Sequence, residues 1–333
     1  MSSSQTMTNN INTLLPSYAK HDCNTLSKTT SLEPPQLVVS KTTSLEPPSK
    51  LQNLFDIFLN SDLFCYINEY DSLWDFSDTC SLFKQFKKYV NYKLNKQYSL
   101  LYYNDEIFRT KILNTVINPQ KQLYLKLNDC DIITDVTVLK DVHYLDLSCC
   151  ENITDVSPLK NVHTLILHGC YNIINIGTLK DVHTLDLSYN YNIIDVKELT
   201  NVYNLNLKWC NNIIDVSTLG KVNILNLSYC ENIDDVSALH SVNNLNLSCC
   251  ENITGVSDLI NVNTLDLSYC YNIIDKDIMT LGKVKNLDLS GCTEITDIIP
   301  LKNVHRLNVD GCYNISLLDN IHNLLGNMNT LYR

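Results

Sequence analysis

Three kinds of chemically capable side chain recur in this chain at a fixed interval. Cys130, Cys150, Cys170, Cys210, Cys230, Cys250 and Cys270 stand at multiples of twenty residues, Cys292 and Cys312 continue the series after a shift of two, and Asn190 replaces the thiol once. A row of thiols invites redox or zinc chemistry. His143, His163 and His183 share a second repeat position, where stacked imidazoles would hold a metal or act as a pH-sensitive stripe. Asp135, Asp155, Asp195, Asp215, Asp235, Asp275 and Asp297 share a third, a source of carboxylates for acid–base work. Duplication of one unit explains all three series without chemistry. The chain also lacks a Cys-x-x-Cys pair, a P-loop, G-x-G-x-x-G, G-x-S-x-G and H-E-x-x-H. No catalytic residue, metal or cofactor is expected, and the reading is a binding protein rather than an enzyme.

Composition narrows the class further. In 333 residues, 44% are apolar and 18% charged, which excludes a wholly disordered chain. No apolar run of about 18 residues exists to span a membrane. The first residues, Met1-Ser-Ser-Ser-Gln, carry neither a basic region nor an apolar stretch, so a cytosolic or nuclear place is expected, or the host cytoplasm for a viral protein. The 14 cysteines fall below the density of a disulfide scaffold, so free thiols are expected. Of the net charge of −11, residues 121–333 hold the excess, with 14 basic against 25 acidic side chains. Such a surface repels phosphate backbones and anionic membranes and favours basic protein partners. Abundant Asn, Ile, Lys and Tyr point to an AT-rich genome, such as that of a large DNA virus or an amoeboid eukaryote.

The twenty-residue interval belongs to whole units. Ten follow one another from Lys121, with the pattern x-V-x-x-L-x-L-S-x-C-x-N-I-x-D-V-x-x-L-x. A fixed period of this size means a solenoid. Leu145 and Leu147 alternate with polar neighbours, as a strand with one buried face requires. Cys150, Ile153, Val156 and Leu159 then run at spacing three, which suits a tight 3₁₀-like segment. The pattern resembles the leucine-rich repeat family, whose L-x-x-L-x-L-x-x-N/C-x-L signature falls on Val142, Leu145, Leu147, Cys150 and Ile153. That resemblance implies an α/β solenoid over 121–333, with short parallel strands on a concave face and turn or 3₁₀ segments on the convex one. It also implies that the cysteines turn inward as a structural ladder, and that the repeated Asp and Asn residues cap turns and bond neighbouring backbone. The unit from Asn261 runs to 22 residues with Lys276 in place of Val, so a convex bulge is expected there. The helical spacing of Leu317, Ile321, Leu324 and Leu325 before Gly326 predicts a C-terminal cap.

Two segments precede the repeats. Residues 1–50 contain a duplicated peptide, Ser27–Pro35 and Ser40–Pro48, and read as a disordered arm. Residues 51–120 carry helical spacing and read as a small helical domain. Within them, Leu59 to Tyr70 and Leu73 to Phe83 resemble an F-box, with Asn60 where that family has its proline and Asp71 where it has an apolar residue. The resemblance implies that Leu59, Leu63, Ile67, Leu73, Phe76, Cys80 and Phe83 dock a Skp-type adaptor of a cullin–RING ubiquitin ligase, while the repeats hold a protein target.

Packing does not dictate the outward strand positions, so they are the candidate target-binding residues. Tyr144, Asp146, Ile166, Asp186 and Asn206 flank the strand leucines, and Tyr189, Trp209, Tyr229 and Tyr269 lie two residues past the second leucine. Aromatic side chains among polar ones are what interface hot spots need.

Overall fold

The computed structural model describes residues 91–116, 118–173, 176–253, 256–315 and 330–332. The arm, the F-box-like residues and the expected C-terminal cap lie outside these.

Each repeat contributes one strand of three or four residues, flanked by turns that bring the chain back one coil further on. The strands are β1 (Tyr92–Lys93), β2 (Leu123–Lys126), β3 (Tyr144–Asp146), β4 (Thr164–Ile166), β5 (Thr184–Asp186), β6 (Asn204–Asn206), β7 (Ile224–Asn226), β8 (Asn244–Asn246), β9 (Thr264–Asp266), β10 (Asn286–Asp288), β11 (Arg306–Asn308) and β12 (Thr330–Tyr332). They form one 12-stranded sheet in chain order. Every neighbouring pair is parallel, and register sets leucine beside leucine, as in Leu145↔Leu165↔Leu185. This is the leucine-rich repeat solenoid that the sequence pattern implies.

The buried side of each coil is built from the spacing read in the sequence. Leu145, Leu147, Cys150, Ile153, Val156, Leu159 and Val162 are 0–1% exposed, and their repeat-mates pack with them in one continuous core. A coil cannot bury this side alone, so stability belongs to the stack. The spacing-three segments become 3₁₀ turns such as Thr137–Leu139, Ser157–Leu159 and Ser237–Leu239. The repeated aspartates hold those turns: Asp135, Asp155, Asp215 and Asp235 accept the backbone N–H two residues on, at 2.9–3.0 Å. The repeated asparagines tie coil to coil; the side chain of Asn212, for example, donates to the Tyr191 carbonyl at 2.6 Å.

The long unit does bulge. Its extra residues form the helical turn α4 (Asp275–Ile278), which buries Ile278 in the core and leaves Met279 63% exposed. At the other end, the segment expected to be helical carries α1 (Lys96–Asn104), α2 (Glu106–Thr115) and the short α3 (Pro119–Gln122). It also carries β1, which pairs with β2 and extends the sheet upstream of residue 121. Asn95 and Asp105 cap the N-termini of α1 and α2. Arg109 donates to the carbonyls of Tyr102 and Tyr103 at 2.9 Å, joining the two helices. Tyr102 and Ile112 are buried in the common core.

Candidate functional site

The cysteine series is accounted for by the core. From Cys150 onward each thiol donates to the carbonyl of the second leucine of the preceding coil, as from Cys150 to Leu127, Cys170 to Leu147, Cys230 to Leu207 and Cys270 to Leu247, all at 3.1–3.2 Å. Cys130 donates instead to the Asn128 carbonyl at 3.3 Å. Burial pushes the thiols of Cys150, Cys170, Cys210, Cys230 and Cys292 up to about 12, which keeps them protonated donors. All are free cysteines. Asn190 takes the thiol's part through Nδ2, which reaches Leu167 O at 2.8 Å and Leu187 O at 2.9 Å. Its Oδ1 is buried without a partner.

The opposite face of the sheet is open. Tyr144, Asp146, Ile166, Asp186 and Asn206 all lie on it, half-buried among neighbouring strands. Register places Asp146, Ile166, Asp186 and Asn206 side by side on β3 to β6. Each aspartate of the row uses Oδ1 to close the turn that follows: Ser148 and Ser188 donate to it from the backbone at 3.1 and 2.9 Å and from the hydroxyl at 2.6 and 2.5 Å. Asn206 donates to Asp186 Oδ2 at 3.0 Å. Further along, Thr264, Asp266, Asn286, Asp288, Arg306 and Asn308 line a shallow groove of about 450 Å³.

The aromatic candidates sit elsewhere than expected. Tyr189, Trp209, Tyr229 and Tyr269 are not strand residues; they occupy the turn where the chain leaves the sheet, with φ of 63°, 62°, 62° and 59°. There the N–H continues the sheet's bonding, as from Trp209 to Ser228 O at 3.0 Å, and the left-handed turn lets it do so. Glycine fills the same position at Gly169, Gly291 and Gly311. A bulky residue in this region costs about 1–2 kcal/mol relative to glycine. The side chains lean onto the next coil: a Cβ on Gly291 would come within 2.6 Å of the Tyr269 ring.

Leaning in this way, the rings form a ladder along the downstream edge. His168 meets Tyr189 at 4.8 Å, Tyr189 meets Trp209 at 6.0 Å, and Trp209 stacks on Tyr229 at 4.4 Å and 12°. Lys208 lies over the Tyr229 ring, 5.2 Å from its centre. Cys249 interrupts the series, so Tyr269 stands apart, 49% exposed, against Tyr271.

A second ladder runs along the upstream edge. His143, His163 and His183 stack at 4.5 Å intervals, Tyr203 joins at 4.8 Å, and Tyr124 closes the other end on His143 at 5.2 Å. Burial, above all, holds the imidazoles of His143 and His163 below their ordinary pKa; the neighbouring imidazoles add to it. Among the described residues no three His, Cys, Asp or Glu side chains converge on a point that would hold a metal ion. The sequence showed the three histidines but not their continuation into Tyr203. The signal was there: Tyr203 occupies the same repeat position as His183.

No family model and no curated protein matches the chain. Solved structures do. An internalin from Listeria monocytogenes (InlF) is 23% identical over 63% of this chain and 73% of its own, with a TM-score of 0.46. A leucine-rich repeat protein of Leptospira interrogans is 24% identical over 63% and 60%, with a TM-score of 0.47. TLR13, in a complex with a single-stranded RNA, is 19% identical over 68% and 41%, with a TM-score of 0.48.

Proposed function

We propose that this chain is a non-catalytic binding module that holds a protein partner on the open, concave face of the sheet between the two ladders. The observation that carries this reading is the set of bulky aromatics kept in a left-handed turn. The fold is satisfied by glycine there, and strained backbone is retained where a side chain is needed. Tyr189, Trp209 and Tyr229 supply rigid apolar anchors beside the polar row of Asp146, Asp186 and Asn206, the composition of an interface centre. Affinity capture with the full chain tests it. Trp209→Ala with Tyr229→Ala should weaken capture by about 2 kcal/mol while circular dichroism stays unchanged. If capture survives that pair and Glu198→Arg in the turn after β5 abolishes it, the face is wrongly chosen.

A finer reading rests on the F-box resemblance. In it the chain is a substrate receptor of an SCF-type ubiquitin ligase, with Leu59, Leu63, Ile67, Leu73, Phe76, Cys80 and Phe83 on the Skp-type adaptor and the target on the repeats. Its support is the sequence of residues 59–83 alone. The full chain should co-purify with a Skp-type adaptor, and Leu63→Ala with Ile67→Ala should abolish this with the repeats still folded. Without co-purification the chain is a free-standing scaffold or inhibitor.

A further inference from the structure

We infer that the segment held between the ladders is cationic and extended, with Lys or Arg at about every third residue. The inference rests on the docking reading above and adds the chemistry of the partner. Along β3 to β10 the charged strand side chains of the open face are Asp146, Asp186, Asp266 and Asp288, all carboxylates, with Lys126 of β2 in register beside Asp146 and Lys208, past the end of β6, over the Tyr229 ring. The ion pairs among the described residues, Lys96–Asp129 and Lys197–Asp215, leave all four out.

The fold does not require this charge. Asn226 and Asn246 accept the equivalent backbone N–H from Ser228 and Ser248 at 3.0 and 2.9 Å, so an amide closes the same turn. Asp146 and Asp186 therefore bring a negative charge that their turns can do without. Each pair has one cation close by, Lys126 in register beside Asp146 and Arg306 in the groove of Asp266 and Asp288; what sets Asp146 and Asp186 apart is that the ring ladders flank them.

Spacing sets the partner's shape. Ile166 stands in register between Asp146 and Asp186, so the carboxylates are two strand steps apart, roughly 10 Å. An extended polyproline-type segment advances about 3.1 Å per residue and returns to the same face every third residue, about 9.3 Å. Cations at that interval meet both carboxylates, and the residues between them face Ile166 and the ring ladders, the kind of surface on which proline-rich segments dock.

The test uses the full chain and an end-labelled peptide of Lys-Pro-Pro triplets, followed by fluorescence polarisation. A Glu-Pro-Pro peptide of equal length and a single-stranded RNA serve as competing probes. The lysine peptide should bind and be displaced by salt, and the other two should not. Asp146→Asn with Asp186→Asn should weaken binding about tenfold at unchanged melting temperature, and Asp266→Asn with Asp288→Asn by less than about twofold. Equal loss in both pairs means a diffuse field and overturns the site. Binding of the RNA or of the glutamate peptide, or no binding of the lysine peptide to the wild type at about 1 mM, overturns the cationic partner. If the lysine peptide binds the Trp209→Ala, Tyr229→Ala variant as it does the wild type, the docking face itself falls. If it fails on the wild type while cellular capture still depends on those two aromatics, only the partner's chemistry falls.

Discussion

Leu207 and Trp209 stand two residues apart, yet they belong to regions under different rules. At the Leu207 position nine of ten coils carry leucine and one carries Val309, and each side chain packs against its own copies in the coils above and below. The position of Trp209 holds Asp, Cys, Gly, Tyr or Trp from coil to coil, with its backbone in the same left-handed turn throughout. The buried column is uniform because a parallel stack in register makes every coil the template for the next. The edge is varied because the turn fixes only the backbone there and leaves the side chain to other demands. Uniformity thus marks what holds the solenoid together, and departure from it marks where a partner has a claim.

The largest expected effect falls on the uniform side. Leu207→Asp puts an unpaired carboxylate in the core and should cost roughly 4 kcal/mol, read as a lower urea midpoint with several coils lost together. A change confined to the signal of one coil would break the picture of a collective core.

Asn190 is the irregular member of the buried column and gives a smaller, opposite effect. Asn190→Cys removes the orphaned Oδ1 and restores the thiol bond to the Leu167 carbonyl. It should raise stability by about 1 kcal/mol, seen as a higher melting temperature. A drop would show that the two hydrogen bonds of Nδ2 outweigh the buried orphan.

On the open face the same kind of substitution should do little. Asn206→Asp replaces a donor to Asp186 with a second carboxylate in register, so it should cost about 0.5 kcal/mol, against the much larger loss at Leu207 next door. Equal melting shifts for the two would mean that the inner and outer sides have been interchanged.

The smallest effect is a pH dependence along the upstream ladder. The folded pKa values of His143 and His163 lie below the ordinary 6.5, so the unfolded chain takes up protons first. Their contribution is complete above about pH 6.5 and is lost as pH falls from there through the folded values. Melting temperature should therefore decline on acidification in that window. His143→Asn with His163→Asn, the residue that Asn223, Asn243 and Asn263 place at the same repeat position, should flatten the decline. An unchanged slope would remove the imidazole stack as its source.

What the sequence determined by itself is everything that one coil shares with the next. The strand at Leu145 and Leu147, the inward thiols, the aspartate-capped turns and the asparagine ties were legible because each residue's neighbours in space are its own copies twenty residues away. Periodicity in the chain is then the same thing as contact in the fold. The tertiary structure alone decided the rest. It moved Tyr189, Trp209 and Tyr229 from the strands to a left-handed edge turn, since hydrophobic spacing carries no record of the sign of φ. It set Tyr124, from a different repeat position, against the end of the histidine stack, and it began the sheet at Tyr92, upstream of any repeat. Those features depend on contacts between unlike residues in successive coils and on the path of the backbone between them, and neither is periodic.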